Sequence, residues 1–245
     1  MYEYNKMAGK IENMYDKIPK KFLDEAVNNN FDLHKLKIPF RMCIVAPSGS
    51  GKTNFLINLL QMFCSGKGTF SSVCIITRNK DEPLYLWLED KSDQIVIKEG
   101  LQNTPRLDEF DKRENHLVVF DDLVLSKDLS QVEQYYIRAR KLNCSVIFIS
   151  QSYFRIPKVI RNNCSYMALL KLSGQRECNV ILSEFGLGVS KEELLALYEY
   201  ATNEKFQCLL IDLENSKENR FRKGVAEVLD VDEIMRSKPA MKDDK

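Results

Sequence analysis

The chain has 245 residues, 44% of them hydrophobic and 29% charged, with a formal net charge of +1. That length can bury a full core as one large domain, and the balanced charge excludes a global basic field, so any nucleic-acid contact is a local patch. The 7 cysteines and 2 histidines form no C-x-x-C pair and no zinc cluster, which points to reduced, mostly buried thiols in a cytosol-like compartment.

The opening stretch MYEYNKMAGKIENMYDK lacks the apolar segment of a secretory signal, and no later run reaches the length of a membrane span. We read residues 1–37 as an N-terminal arm, polar and Asn-rich, with a short helix around Lys20–Asn28. Lys17, Lys20 and Lys21 read as a solvated face of that arm.

A regular alternation then begins and defines an expected core over residues 38–213. Strand-like apolar runs occupy Met42–Ala46, Ser72–Thr77, Gln94–Lys98, Leu117–Asp121, Ser145–Ser150, Tyr166–Lys171 and Phe206–Leu213. Helical patterns lie between most of them, at Lys52–Phe63, Glu82–Glu89, Ser130–Leu142, Gln175–Phe185 and Lys191–Tyr200. Buried strands alternating with helices predict an α/β fold, a mostly parallel central sheet with helices on both faces. Residues 214–245 form a charged C-terminal extension in which Val225, Val228, Leu229 and Ile234 suggest a short amphipathic segment.

Chemistry concentrates first at APSGSGKT, between an apolar strand and an apolar-periodic helix, which is the setting of a Walker A phosphate loop. Pro47, Ser48, Gly49, Ser50 and Gly51 let the backbone curl so that several N–H groups point into one concavity. Those donors and the helix start at Lys52, Thr53 and Asn54 suit a polyphosphate. Lys52 would reach the β- and γ-phosphates of ATP, and the Thr53 hydroxyl would bind Mg²⁺. Ala46 stands where the strict pattern has glycine, a mild departure.

HLVVFDDL, from His116 to Leu123, reads as a Walker B strand ending in Asp121, a carboxylate placed to hold Mg²⁺ through water. Asp122 follows, where many ATPases of this general class carry the glutamate that activates water; aspartate is one methylene shorter, and a loop or capping acid is the alternative. SVIFISQ ends a further buried strand in Gln151, able to hydrogen-bond both a γ-phosphate and the attacking water. Its position after Walker B, one helix on, implies that its strand is inserted between the Walker A and Walker B strands. Arg138, Arg140, Arg155 and Arg161 flank it, and one of them is a candidate to act on a neighbouring subunit's nucleotide. Thr77, Arg78 and Asn79 either line the site or form a turn capped by Asp81. Tyr85, Trp87 and Leu88 read as core, and Tyr153 and Phe154 as either core or a base-stacking pair.

Taken together, APSGSGKT, VVFDDL and RARKLNCSVIFISQSYFRIPKVIRNN resemble the viral genome-packaging ATPases of the FtsK/HerA superfamily. The similarity is to the type found in large eukaryotic DNA viruses and their virophages, Sputnik-like, and covers roughly residues 40–182. The resemblance implies a RecA-like ASCE P-loop NTPase and a six-membered ring, a hexamer, that hydrolyses ATP at its subunit interfaces. It implies Mg²⁺ as cofactor, double-stranded DNA driven without strong sequence preference into a preformed capsid, and contact with capsid proteins. It also implies work in the cytoplasmic viral factory of the host, or association with the virion, and no membrane. Lys52, Thr53, Asp121, Asp122 and Gln151 match family positions. A P-loop kinase of a small acceptor and a nucleotide-gated, non-catalytic assembly factor are the competing readings.

Overall fold

A computed structural model of the chain describes residues 11–19, 27–123, 126 and 128–237. The helix expected around Lys20–Asn28 lies, apart from Val27 and Asn28, outside the described residues. The elements run in order α1 (Phe31–His34), β1 (Arg41–Val45), α2 (Lys52–Phe63), β2 (Ser72–Thr77), α3 (Pro83–Lys91) and β3 (Ile95–Glu99). They continue with β4 (His116–Asp121), α4 (Ser130–Arg138), β5 (Cys144–Ser150), α5 (Lys158–Asn162), β6 (Tyr166–Leu169), α6 (Gln175–Phe185) and α7 (Lys191–Ala201). Strands β7 (Leu209–Asp212), β8 (Phe221–Lys223) and β9 (Glu227–Val228) and helix α8 (Val231–Ser237) close the chain.

All nine strands join one sheet in the order β3-β2-β4-β5-β1-β6-β7-β8-β9. The six from β3 to β6 are parallel; β7, β8 and β9 add on as antiparallel neighbours. The sheet therefore runs on beyond residue 213, and the segment after it supplies two strands and a helix. The sensor-type strand β5 lies between β1 and β4, the order that the spacing of the motifs implied.

Period-two alternation divides the apolar side chains between two cores. Met42 and Ile44 of β1, with Leu117 and Val119 of β4, face Phe55, Leu56, Leu59, Leu60 and Phe63 of α2 and Tyr85 and Leu88 of α3. Cys43 and Val45, with Val118 and Phe120, face Tyr135 and Tyr136 of α4, Ile160 of α5, Ile181 and Leu182 of α6 and Leu197 of α7. A strand covered on both faces must be apolar at successive positions, which is why β1, β4, β5 and β6 are buried along nearly their whole length.

Asn29 and Asn30 tie the arm to the end of α2 and the turn that follows it. Asn30 Nδ2 donates to the carbonyls of Phe63 and Ser65, and Asn29 Nδ2 to that of Gly68. Trp87 departs from its expected place in the core: Tyr85 and Leu88 are buried, but Trp87 lies on the opposite side of α3 and is 43% exposed. Helix α4 is also shorter than its apolar period suggested, because residues 139–142 tighten into a 3₁₀ turn that ends at Asn143 in the left-handed region.

Candidate nucleotide site

In parallel strands every C-terminal end lies at the same edge, so register decides which side chains meet there. Val45 pairs with Ser150, and Asp121 with Ile149. The amide of Ala46 donates to the carbonyl of Ser150 (3.0 Å). The chain ends leading to the Pro47–Gly51 loop, to Asp121 and to Gln151 are thus immediate neighbours.

The loop after β1 is a tight turn in which both the amide and the hydroxyl of Ser50 bond the carbonyl of Pro47 (3.1 and 2.7 Å). Gly49 (φ +77°) and Gly51 (φ +92°) occupy the left-handed region, which a side chain would strain. Gly51 also serves as the N-cap of α2, and no side chain caps that end. The first-turn N–H groups at Lys52, Thr53 and Asn54 therefore stay available to an anion, with the helix dipole behind them.

Asp121 has the strand parity of Leu117 and Val119, so its carboxylate turns toward α2 and α3 and is 2% exposed. Its Oδ1 stands 3.7 Å from Lys52 Nζ, beyond hydrogen-bond range, and has no hydrogen-bond partner among the described residues. Its Oδ2 accepts a hydrogen bond from Tyr85 Oη (2.7 Å). Burial raises the Asp121 pKa above the ordinary carboxylate value, opposed by Lys52 and by the Tyr85 hydroxyl. The Tyr85 phenol is itself pushed far up by burial and by the charge on Asp121, so it remains a donor. A buried carboxylate oxygen with no hydrogen-bond partner among the described residues, facing the lysine that follows the loop, is chemistry that fits a nucleotide-bound Mg²⁺, and Thr53, also buried, is the next residue after that lysine.

Asp122 breaks from the strand with φ +55°, and its Oδ2 accepts from Gln151 Nε2 (2.8 Å). The acid and the amide that the sequence placed on separate strands are directly bonded. Beyond Gln151, the Ser152 hydroxyl and the Tyr153 amide both donate to Glu177 Oε1 of α6 (2.8 and 2.6 Å). Tyr153 is buried, and its hydroxyl bonds Glu184; Phe154 is 55% exposed.

The arginines separate by edge. Arg138 ends α4 and Arg140 lies in the turn before β5, at the opposite end of that strand from Gln151. Arg161 pairs with Glu184 (3.2 Å) and lies 4.6 Å from the centre of the Tyr153 ring. Arg155 is on the nucleotide edge, exposed, with no ion pair among the described residues. Thr77 is buried in register with Asp121 and accepts from the Asn79 amide; Arg78 lines a cleft at the same edge with Glu99, Leu123 and Asp128. Glu82, not Asp81, holds the N-cap of α3.

Tyr85 and Glu177 escaped the sequence reading. The apolar period through PLYLWL accounts for Tyr85 as core, and only its hydroxyl, aimed at the Walker B acid, sets it apart. Glu177 carried no signal beyond an acid in a first helical turn.

A family model described as poxvirus A32 protein matches residues 28–237. The chain belongs to the poxvirus A32 family. The DNA packaging protein OPG160 of vaccinia virus (strain Copenhagen) is 29% identical over 196 residues, covering 74% of this chain and 71% of that protein. OPG160 of variola virus is likewise 29% identical over the same length. The genome packaging NTPase B204 of Sulfolobus turreted icosahedral virus 2, in complex with ATP-gammaS, superposes with a TM-score of 0.55 at 13% identity. That match covers 79% of this chain and all of B204. EssC (ATPases 2 and 3) of Geobacillus thermodenitrificans gives 0.53 at 13% identity, over 81% of this chain and 42% of EssC. These likenesses agree with the RecA-like P-loop architecture of this member of the A32 family. Among its described residues no helix is long and apolar enough to cross a membrane.

Proposed function

We infer that the chain is an ATPase that drives double-stranded viral DNA into preformed capsids. The observation that carries this reading is the meeting of three adjacent strand ends, which brings Lys52 to Asp121 and Gln151 to Asp122. The names of the vaccinia and variola relatives, DNA packaging proteins, supply the direction of the work.

In this reading the free amides between Ser48 and Asn54, in the turn that Pro47 opens, hold the phosphate chain, and Lys52 neutralises its β and γ oxygens. Thr53 and Asp121 would hold Mg²⁺, which when bound would offset charge that develops on the phosphates in the reaction. Asp122 orients and deprotonates the attacking water. Gln151, bonded to Asp122, reaches the γ-phosphate and the water, so loss of that phosphate changes the bond that fixes the Asp122 side chain. Because Ser152 and Tyr153 are anchored on Glu177, such a change is passed to α6 rather than absorbed in a loose turn.

The subunits form a ring, a hexamer by the resemblance, around DNA gripped through its phosphates and therefore without strong sequence preference. Arg155 is the arginine best placed to serve a neighbouring subunit. Capsid proteins are the docking partners, and the host cytoplasm, at the viral factory, is the site of action.

The test is ATP hydrolysis with and without duplex DNA, in wild type and in Lys52→Ala. DNA raises turnover and Lys52→Ala abolishes it. Turnover indifferent to DNA of every length overturns the motor, and full activity in Lys52→Ala overturns the site. Transfer of phosphate to a nucleoside, or binding without phosphate release, would instead identify a kinase or an assembly factor.

A further inference from the structure

The connection between α7 and β7 runs past the flank of the phosphate loop. Phe206, within it, has φ +68°, a left-handed backbone that is unfavourable for a bulky residue. Its ring lies against Gly51: a Cβ built at Gly51 would collide with Phe206 Cδ1 and stand 2.7 Å from Cε1. Yet the ring is 48% exposed, so its position is not explained by burial. Beside it opens a cleft of about 280 Å³ bordered by Asn54, Asn58, Met62, Lys205 and Gln207. Asn58 Nδ2 donates to the carbonyl of Asn54 (2.7 Å), which fixes the α2 side of that cleft.

Sheet order gives the site a polarity. Asp121 ends β4 and Gln151 follows β5, on one side of β1; Phe206 precedes β7, on the other side, beyond β6. A triphosphate lying over the loop with its γ end at Asp121 and Gln151 must direct its nucleoside toward Asn54 and the β6–β7 side. There an exposed aromatic face stands beside an open cleft.

We propose that Phe206 is the stacking platform for the nucleobase of the bound nucleoside triphosphate, with the cleft along Asn54 and Asn58 receiving the base and ribose. The proposal rests on the reading of the loop as a triphosphate site. Every base has a π-face, so stacking adds affinity without choosing strongly between purines. Gly51 then has two duties, a left-handed turn and a flat surface on which the ring can rest.

The test compares binding of a non-hydrolysable ATP analogue with binding of inorganic tripolyphosphate, which has no base to stack. Phe206→Ala weakens the analogue about tenfold, the scale of one lost base–aromatic stack, and leaves tripolyphosphate unchanged. Phe206→Trp keeps a stacking face and keeps the affinity. Phe206→Gly, which suits the left-handed backbone, loses analogue affinity without losing thermal stability, so misfolding does not account for the loss. Unchanged analogue affinity in Phe206→Ala, or an equal loss for tripolyphosphate, overturns the proposal. Lys52→Ala separates the two readings: it weakens both ligands if the loop is the phosphate site, and leaves both unchanged if the underlying site is wrong.

Discussion

The Walker B acid presents two oxygens with different fates. Oδ2 is held by Tyr85, and Oδ1 is buried with no hydrogen-bond partner among the described residues. A fixed Oδ2 sets the rotamer, so Oδ1 faces the lysine and the loop. Second-layer partners of this kind typically change metal affinity ~10- to 100-fold when removed. Tyr85→Phe keeps the ring in its core and removes only the donor. It also leaves Oδ2 unpaired, which raises the Asp121 pKa further and disfavours the ionised form that a cation needs. We expect the Mg²⁺ concentration for half-maximal ATP hydrolysis to rise about tenfold in Tyr85→Phe, with maximal turnover largely recovered at high Mg²⁺. A Mg²⁺ titration checks this, and an unchanged curve would mean that Tyr85 serves the core alone.

At the scale of elements, the central strands were legible because burial on both faces forces continuous apolar runs. Ser72–Thr77 agrees in both bounds, and Met42–Ala46 and Leu117–Asp121 differ by a residue at one or both ends. Legibility failed where tertiary contacts decide. Phe206 looks like the first residue of a strand, but its positive φ belongs to a turn, and β7 starts only at Leu209. Strands β8 and β9 are too short to show a period, and the charges of Arg222 and Lys223 disguise them. Arg222 is tolerated inside because its guanidinium donates to Asp212 Oδ2 (2.5 Å) and to the carbonyls of Lys35 and Val225. The meeting of Lys52, Asp121 and Gln151 at one edge was legible, because motifs mark them. The neighbourhood of Tyr85, Glu177 and Phe206 was not legible, because the fold alone brings them to that edge. Helix α7, which leads to Phe206, starts with a capping box: the Ser190 hydroxyl accepts from the Glu193 amide and the Glu193 carboxylate from the Ser190 amide. Ser190→Ala should cost about 1 kcal/mol of stability. Because this cap lies at the far end of α7 from Phe206, nucleotide affinity should stay at the wild-type value. Denaturant melts paired with nucleotide titration check both halves.

At the scale of the whole molecule, one sheet edge gathers the loop, both acids, Gln151, Phe206 and Arg155. In the proposed reading the base, the phosphates and the exposed Arg155 all lie at that edge. An exposed arginine at that edge, with no ion pair among the described residues, suits a head-to-tail ring in which each subunit completes the next site. Arginines used this way are worth about 10³ or more in turnover, so Arg155→Ala alone should be nearly inactive. Lys52→Ala is inactive for a different reason: its own phosphate site is broken, but its Arg155 is intact. Mixing the two tests the geometry directly. If Arg155 acts across the interface, an intact site on an Arg155→Ala subunit can receive the arginine of a Lys52→Ala neighbour. In randomly mixed head-to-tail rings about a quarter of the interfaces have that composition at equal amounts. Hydrolysis should therefore reappear in the mixture when neither variant alone shows it, and should grow with time if subunits exchange slowly. If Arg155 works only within its own subunit, every site in the mixture lacks one of its two parts, and the mixture stays as inactive as its components.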